Sequence, residues 1–234
     1  MLCRVALGAA LAFAASMGSA GATDLLVPVP PPEAFDWNGV YFGGAAGYGA
    51  GRSDYLHITT DWFDFAGGTY TNNVQGLLGG GLVGANFQSG NVVFGIEGQA
   101  LASGIRGGKD YTIYSNSQTT ILNWLARVGG KLGVANNDWL FYAKGGYAIG
   151  SITAENLYYT APTHAWSVTN NHSGWFAGIG IDKAVSQHVV IGIEANYTKL
   201  GMVQNNKPDS AGTPTNIAND LSLVDVLASV KFKY

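Results

Sequence analysis

Val224-Asp225-Val226-Leu227-Ala228-Ser229-Val230-Lys231-Phe232-Lys233-Tyr234 alternates without a break. Val224, Val226, Ala228, Val230, Phe232 and Tyr234 fall on one face of an extended chain, and Asp225, Leu227, Ser229, Lys231 and Lys233 on the other. Successive side chains of a strand point to opposite faces, so every charge here is gathered on one side. The same partition recurs upstream. Val92, Phe94, Ile96, Gly98 and Ala100 oppose Val93, Gly95, Glu97, Gln99 and Leu101, and Leu122, Trp124, Ala126, Val128, Gly130 and Leu132 oppose Asn123, Leu125, Arg127, Gly129 and Lys131. Phe141, Ala143, Gly145, Tyr147 and Ile149 oppose Tyr142, Lys144, Gly146 and Ala148. Trp175, Ala177, Ile179 and Ile181 stand against Phe176, Gly178, Gly180 and Asp182, and Ile191, Ile193, Ala195 and Tyr197 against Gly192, Glu194, Asn196 and Thr198.

Extended outward, this pattern divides the chain from Trp37 into eight segments: 37–51, 74–87, 92–104, 121–134, 140–153, 172–185, 189–200 and 221–234. Pro162, Pro208 and Pro214 all fall between segments, as hydrogen-bonded strands require. The connections alternate in length. Residues 88–91, 135–139 and 186–188 are tight turns, whereas 52–73, 105–120, 154–171 and 201–220 are long and polar. Alternation alone does not say which face is inside, because a soluble sheet would bury the apolar one. Two features select the inverted arrangement. Glycines share the charged face, as a narrow tube requires, and the tryptophans sort by height. Trp37 and Trp139 begin strands on the short-turn side and Trp124 and Trp175 on the other, which is the placement of two aromatic girdles. The expected fold is all-β: an eight-stranded antiparallel up-and-down transmembrane β-barrel with short periplasmic turns and four long extracellular loops. The lipid face of segment 74–87 stays unassigned, because glycines crowd both of its faces.

Composition agrees. Of 234 residues 34 are Gly and only 12% are charged, about twice and about half the usual shares. With 47% apolar residues the chain is not disordered, and a net charge of −3 with scattered basic residues offers no field for nucleic acid. At the N-terminus, Arg4, an apolar run from Val5 to Met17 and the small residues 18–22 form a secretory signal peptide over 1–22, cleaved after Ala22 or Ala20. The run is too short for a spanning helix. The only cysteine, Cys3, lies inside it, so the mature chain has no thiol chemistry. Residues 23–36 hold four of the seven prolines and are expected to form an extended periplasmic spacer ahead of a barrel domain at 37–234.

Phe35-Asp36-Trp37-Asn38-Gly39-Val40-Tyr41-Phe42-Gly43-Gly44, with Gly47-Tyr48, resembles the opening of the small alphaproteobacterial outer-membrane porin-family barrels, the Omp25/Omp31-type outer-membrane immunogenic proteins. The resemblance continues through Phe94-Gly95-Ile96-Glu97-Gly98, Arg127-Val128-Gly129, Lys144-Gly145-Gly146-Tyr147-Ala148, Gly174-Trp175 and the terminal Val230-Lys231-Phe232-Lys233-Tyr234. It implies a cell outer-membrane location in a Gram-negative envelope. It also implies a C-terminal insertion signal at Val230, Phe232 and Tyr234 for the barrel-assembly machinery, with Tyr where the family commonly has Phe. Members of that family serve as surface antigens, as envelope-stabilising proteins and, in some cases, as pores or haem binders.

Glu97, Arg127, Lys131, Lys144, Asp182, Glu194, Asp225, Lys231 and Lys233 are the candidate lumen charges, expected to pair across neighbouring strands, with Glu97 to Arg127 or Lys131 foremost. An eight-stranded barrel is wide enough for side chains or one small ligand, which favours a salt-bridged plug. Catalysis is not expected: His172 and Ser173 point to opposite faces, and His57, His164 and His188 are dispersed. Neither a metal nor a cofactor is implied. Tyr55, Trp62, Phe63, Phe65, Tyr70, Tyr111, Tyr114, Tyr158, Tyr159 and Trp166 load the long connections with aromatics suited to recognition or to packing above the barrel. The resulting expectation is a monomer with a structural and surface-interaction role. Its partners would be outer-membrane lipid, lipopolysaccharide, peptidoglycan through the Pro-rich segment, and host surface ligands. A narrow porin or a small-solute or haem uptake protein is the alternative.

Overall fold

The computed structural model describes residues 35–58, 67–111, 116–158, 165–206, 208, 212 and 216–234. The leader, most of the Pro-rich segment, and Trp62, Phe63, Phe65, Tyr114, Tyr159 and His164 lie outside these residues. The elements are β1 (Gly39–His57), β2 (Thr69–Ser89), β3 (Val92–Ser103), β4 (Arg106–Tyr111), β5 (Asn116–Asn136), β6 (Trp139–Tyr158), β7 (Trp166–Ser186), β8 (Val189–Asn205) and β9 (Ile217–Lys233). All pairings are antiparallel, and β1 pairs with both β2 and β9, so the sheet closes on itself. β3 and β4 follow one another along β5 and make a single stave interrupted at Gly104–Ile105, which leaves eight staves.

Through the apolar band each stave is paired on both sides, the condition for crossing lipid with extended backbone, whereas toward the outer end β7–β8 pairing stops at Gly174↔Leu200 and β2–β4 pairing is the single pair Gln75↔Arg106. The faces sort as the alternation requires. Outward stand Phe94, Ile96, Val128, Leu132, Ile179, Ile193, Val226 and Val230, while Glu97, Arg127, Lys131, Lys144, Asp182, Glu194, Asp225 and Lys231 are buried within. β2 is now assigned: Leu77, Val83 and Phe87 face out, and Val74, Leu78, Leu82 and Asn86 face in.

Three sequence expectations change. The staves are longer than the segments, with β2, β5 and β7 each running 21 residues, roughly twice the 9–11 that cross a bilayer. On β6 the outward aromatics Trp139 and Tyr147 bracket the apolar band, yet the strand continues to Tyr158. Much of the four long connections is therefore ladder, as Leu56↔Thr69 and Tyr111↔Asn116 record. Second, Leu122 faces in, not out. A β-bulge between Leu122 and Trp124 shifts the register, so Asn123 and Trp124 both lie outside while Leu122 joins Leu125 and Ile105 in the interior. Third, glycine is not a mark of the charged face alone: Gly98 and Gly130 stand on the lipid face as their alternation places them, and Gly44 and Gly81 join them there.

Two of the three tight turns depend on left-handed backbone, at Gly90 (φ 59°) and Asn137 (φ 54°), residue types that tolerate it. Inward positions of β5 give the order of layers along the axis: Gln118 and Thr120, then Leu122 and Leu125, then Arg127 and Lys131, then Ala135 at the periplasmic end.

Candidate functional site

Each member of the charged layer sits at an inward position of its strand, and together they fill the lumen across its width. Glu97 on β3 receives Lys144 at 2.8 Å, Lys131 at 3.3 Å and Lys231 at 3.9 Å, and the Tyr41 hydroxyl donates to it at 2.8 Å. Glu194 on β8 receives Lys144 at 2.7 Å and the Gln99 amide at 2.7 Å, with the Tyr142 hydroxyl at 3.2 Å. Lys231 on β9 donates to both oxygens of Asp182 on β7, at 2.7 and 2.9 Å. Arg127 on β5 engages both carboxylate oxygens of Asp225 on β9, which also accepts from Asn196 at 3.1 Å. The ring order places β5 and β9 four staves apart, on opposite sides of the barrel.

The expected pairing of Glu97 with Lys131 is present between adjacent staves, whereas Arg127 pairs with Asp225 instead. Pairing across neighbouring strands is therefore not the rule. Lys144 bridges β3 and β8 from β6, and the network is cross-braced through the centre. The reason is geometric: a lumen narrow enough for side chains to meet at its axis lets long side chains reach any stave. Lys233 stands apart from the network, at the periplasmic mouth, with its ammonium 5.2 Å from the Phe35 ring centroid.

Four members were not singled out from the sequence: Tyr41, Tyr142, Gln99 and Asn196. Tyr142, Gln99 and Asn196 share the inward parity of Lys144, Glu97 and Glu194 on their own strands, which is the signal that marks them, whereas the charges of β1, Arg52 and Asp54, stand on the face opposite Tyr41. Lys131 lies between the rings of Tyr41 and Tyr142, 4.8 and 4.6 Å from their centroids, where the ring faces supply negative potential that water would otherwise provide. Room for those rings comes from glycine. A side chain at Gly84 would overlap the Tyr41 ring, and one at Gly180 the Tyr142 ring. The layer comprises Glu97, Asp182, Glu194 and Asp225 against Arg127, Lys131, Lys144 and Lys231, four acids and four bases, and so carries no net charge.

Apolar layers close it above and below. Leu78, Leu101, Ile105, Leu122, Leu125, Ile152, Leu200, Leu221 and Leu223 form the upper one. The lower one corrects an expectation. Trp37 is 2% exposed against 52% for Trp175, so it is a stopper in the periplasmic mouth and not a girdle residue. It packs with Phe35, Val93, Ala135, Leu140, Tyr142, Ala184 and Val190, and its backbone N–H donates to the Gln88 side chain at 2.8 Å. Phe35 thus belongs to the barrel, ahead of the boundary expected at residue 37. Beside it, amide donors of Asn38 hold the Asp36 carboxyl below the usual range.

Trp124, Trp139 and Trp175 do face outward. Val230, Phe232 and Tyr234 face outward too, and Phe42 packs against Phe232 and Tyr234 across the β1–β9 seam, both at 5.8 Å. Of the loop-assigned aromatics, Tyr55 and Trp166 are buried with Ala154, Val168 and Ile217 inside the raised part of the barrel, and Tyr70 packs against them. His172 is buried with Nδ1 3.0 Å from the Gly201 carbonyl oxygen, while Ser173 faces out.

A family model described as outer membrane protein beta-barrel domain matches residues 7–221. A 22 kDa outer membrane protein of Rhizobium leguminosarum is 29% identical over 73% of this chain and 67% of its own length. A 25 kDa outer-membrane immunogenic protein of Brucella abortus is 26% identical over 97% of this chain and 94% of its own. Among solved structures, the outer membrane protease OmpT of Escherichia coli superposes with a TM-score of 0.51 at 7% identity, covering 86% of this chain and 98% of that one, a likeness of fold alone.

Proposed function

The chain belongs to the outer membrane protein beta-barrel domain family, and on that premise we propose that this outer-membrane barrel serves as a closed structural and surface-interaction protein. It stabilises the envelope and presents its extracellular end to partners rather than conducting solutes or performing catalysis. The observation that carries this reading is the Arg127–Asp225 pair reaching across the full lumen within a neutral, cross-braced layer. Opening a path would mean separating buried ion pairs, at a cost of several kcal/mol for each charge left alone. Stoppering below by Trp37 and packing above by leucines support the same role.

Purified full-length protein in planar bilayers tests it. The expected record is a flat baseline without large, steady single-channel steps. Sustained ohmic steps that scale with salt concentration would replace this reading with that of a narrow pore.

A further inference from the structure

The lipid-facing surface is not smooth. Around Ala228, between the larger Ile181, Ile191 and Ile193, runs a groove of about 610 Å³ along β7, β8 and β9, with Trp139 and Lys183 at its periplasmic end. A second recess of about 510 Å³ continues up the same strands past Ala177, Ile179 and Ala195.

We propose that this groove holds one acyl chain of an anionic glycerophospholipid of the periplasmic leaflet, with the phosphate beside Lys183. Its walls below the rim are apolar, so the occupant is apolar along its length. From Lys183 to Ala177 the outward face of β7 spans six residues, about 20 Å of strand, or about 15 Å of depth at the usual barrel tilt. On the face bounded by Trp175 and Lys183 this reaches one outward residue past the midpoint at Ile179, so the two recesses together run the depth of one leaflet and slightly beyond. The polar end fits a phosphate. Lys183 Nζ lies 4.6 Å from the Trp139 ring centroid and 3.8 Å from the Asp138 carboxylate, and its side chain remains 40% exposed at the height where a headgroup sits. A second copy of the chain fits poorly: a two-fold contact through this face would set concave surface against concave surface and bring two Lys183 ammonium groups together.

The test is native mass spectrometry of the full-length protein released from micelles supplied with dioleoyl phosphatidylglycerol, or with dioleoyl phosphatidylcholine as the zwitterionic control. The wild type is expected to retain one phosphatidylglycerol in preference to phosphatidylcholine. Lys183→Gln should lower that retention about fivefold, the effect of one cation beside an anionic lipid surface, and Ala228→Phe should abolish retention of both lipids by filling the floor. Ala195→Phe, in the adjoining recess, carries the test if Ala228→Phe does not fold, with heat-dependent gel mobility as the folding control. Equal lipid retention by all variants would overturn the proposal, as would a dimer that disappears in Ala228→Phe.

Discussion

At the scale of single residues, the lumen sets two sharp conditions. Asp225 holds Arg127 where neither has access to water, so Asp225→Ala leaves a buried guanidinium without its counter-charge. The expected loss is about 3–5 kcal/mol, read as a lower urea midpoint of the refolded protein in micelles. The double change Arg127→Met with Asp225→Leu removes both charges and should recover most of that loss, since apolar replacements of matched volume need no desolvation. Gly180 is the second condition, because the Tyr142 ring occupies the space its side chain would need. Gly180→Val should cost about 1–3 kcal/mol of overpacking. In a Tyr142→Ala background the same change should cost far less, a coupling that a double-mutant cycle measures. These details were only partly legible. Parity announces that Asp225 and Tyr142 point inward, but partner choice at the axis of a tube depends on which staves face each other, and no strand records that.

At the scale of elements, mid-strand charges made six of the eight faces readable, because one Glu or Lys fixes the parity of its whole strand. β2 carries no such mark: its inward positions are apolar residues, Asn and glycine, and only closure of the ring tells Leu78 from Leu77. The bulge at Leu122–Trp124 is equally silent, since an extra residue shifts parity without any change of composition. The girdle placement of Trp37 fails for a different reason. It precedes β1 by two residues yet keeps the inward parity of Tyr41 and Ala45, with Asp36 and Asn38 exposed, so its height along the chain points to a girdle where its parity points to the lumen. As a buried indole it should behave as core, with Trp37→Ala costing about 3–5 kcal/mol of stability. The bilayer record of Trp37→Ala should nevertheless stay flat, because the charged layer above it is intact. A variant that is destabilised and also conducts would assign the closure to the stopper instead.

At the scale of the molecule, a polar interior inside an apolar coat reverses the usual consequence of a charged substitution. Ile179 lies four residues from both Lys183 and Trp175 on the outward face of β7 and is strongly exposed, which places it near the middle of the apolar band. Ile179→Arg should therefore destabilise the lipid-embedded protein by about 2–4 kcal/mol, measured as reduced folding into vesicles. This inversion was the most legible property of all, since it follows from charge scarcity and alternation together. The height of the barrel was the least legible, because the Asn, Thr and Ser of a raised ladder are the same residues that make loops. β6 runs eleven residues past Tyr147, which lifts its outer end about 25 Å above the apolar band at the usual tilt. To anything approaching the cell, the barrel is thus a turret whose walls are paired backbone except along two seams, β7–β8 beyond Gly174↔Leu200 and β2–β4 beyond Gln75↔Arg106. A ligand or antibody that grips the turret meets a surface already in its bound shape, so little ordering entropy is lost on capture, and residence is governed by side chains on a fixed frame.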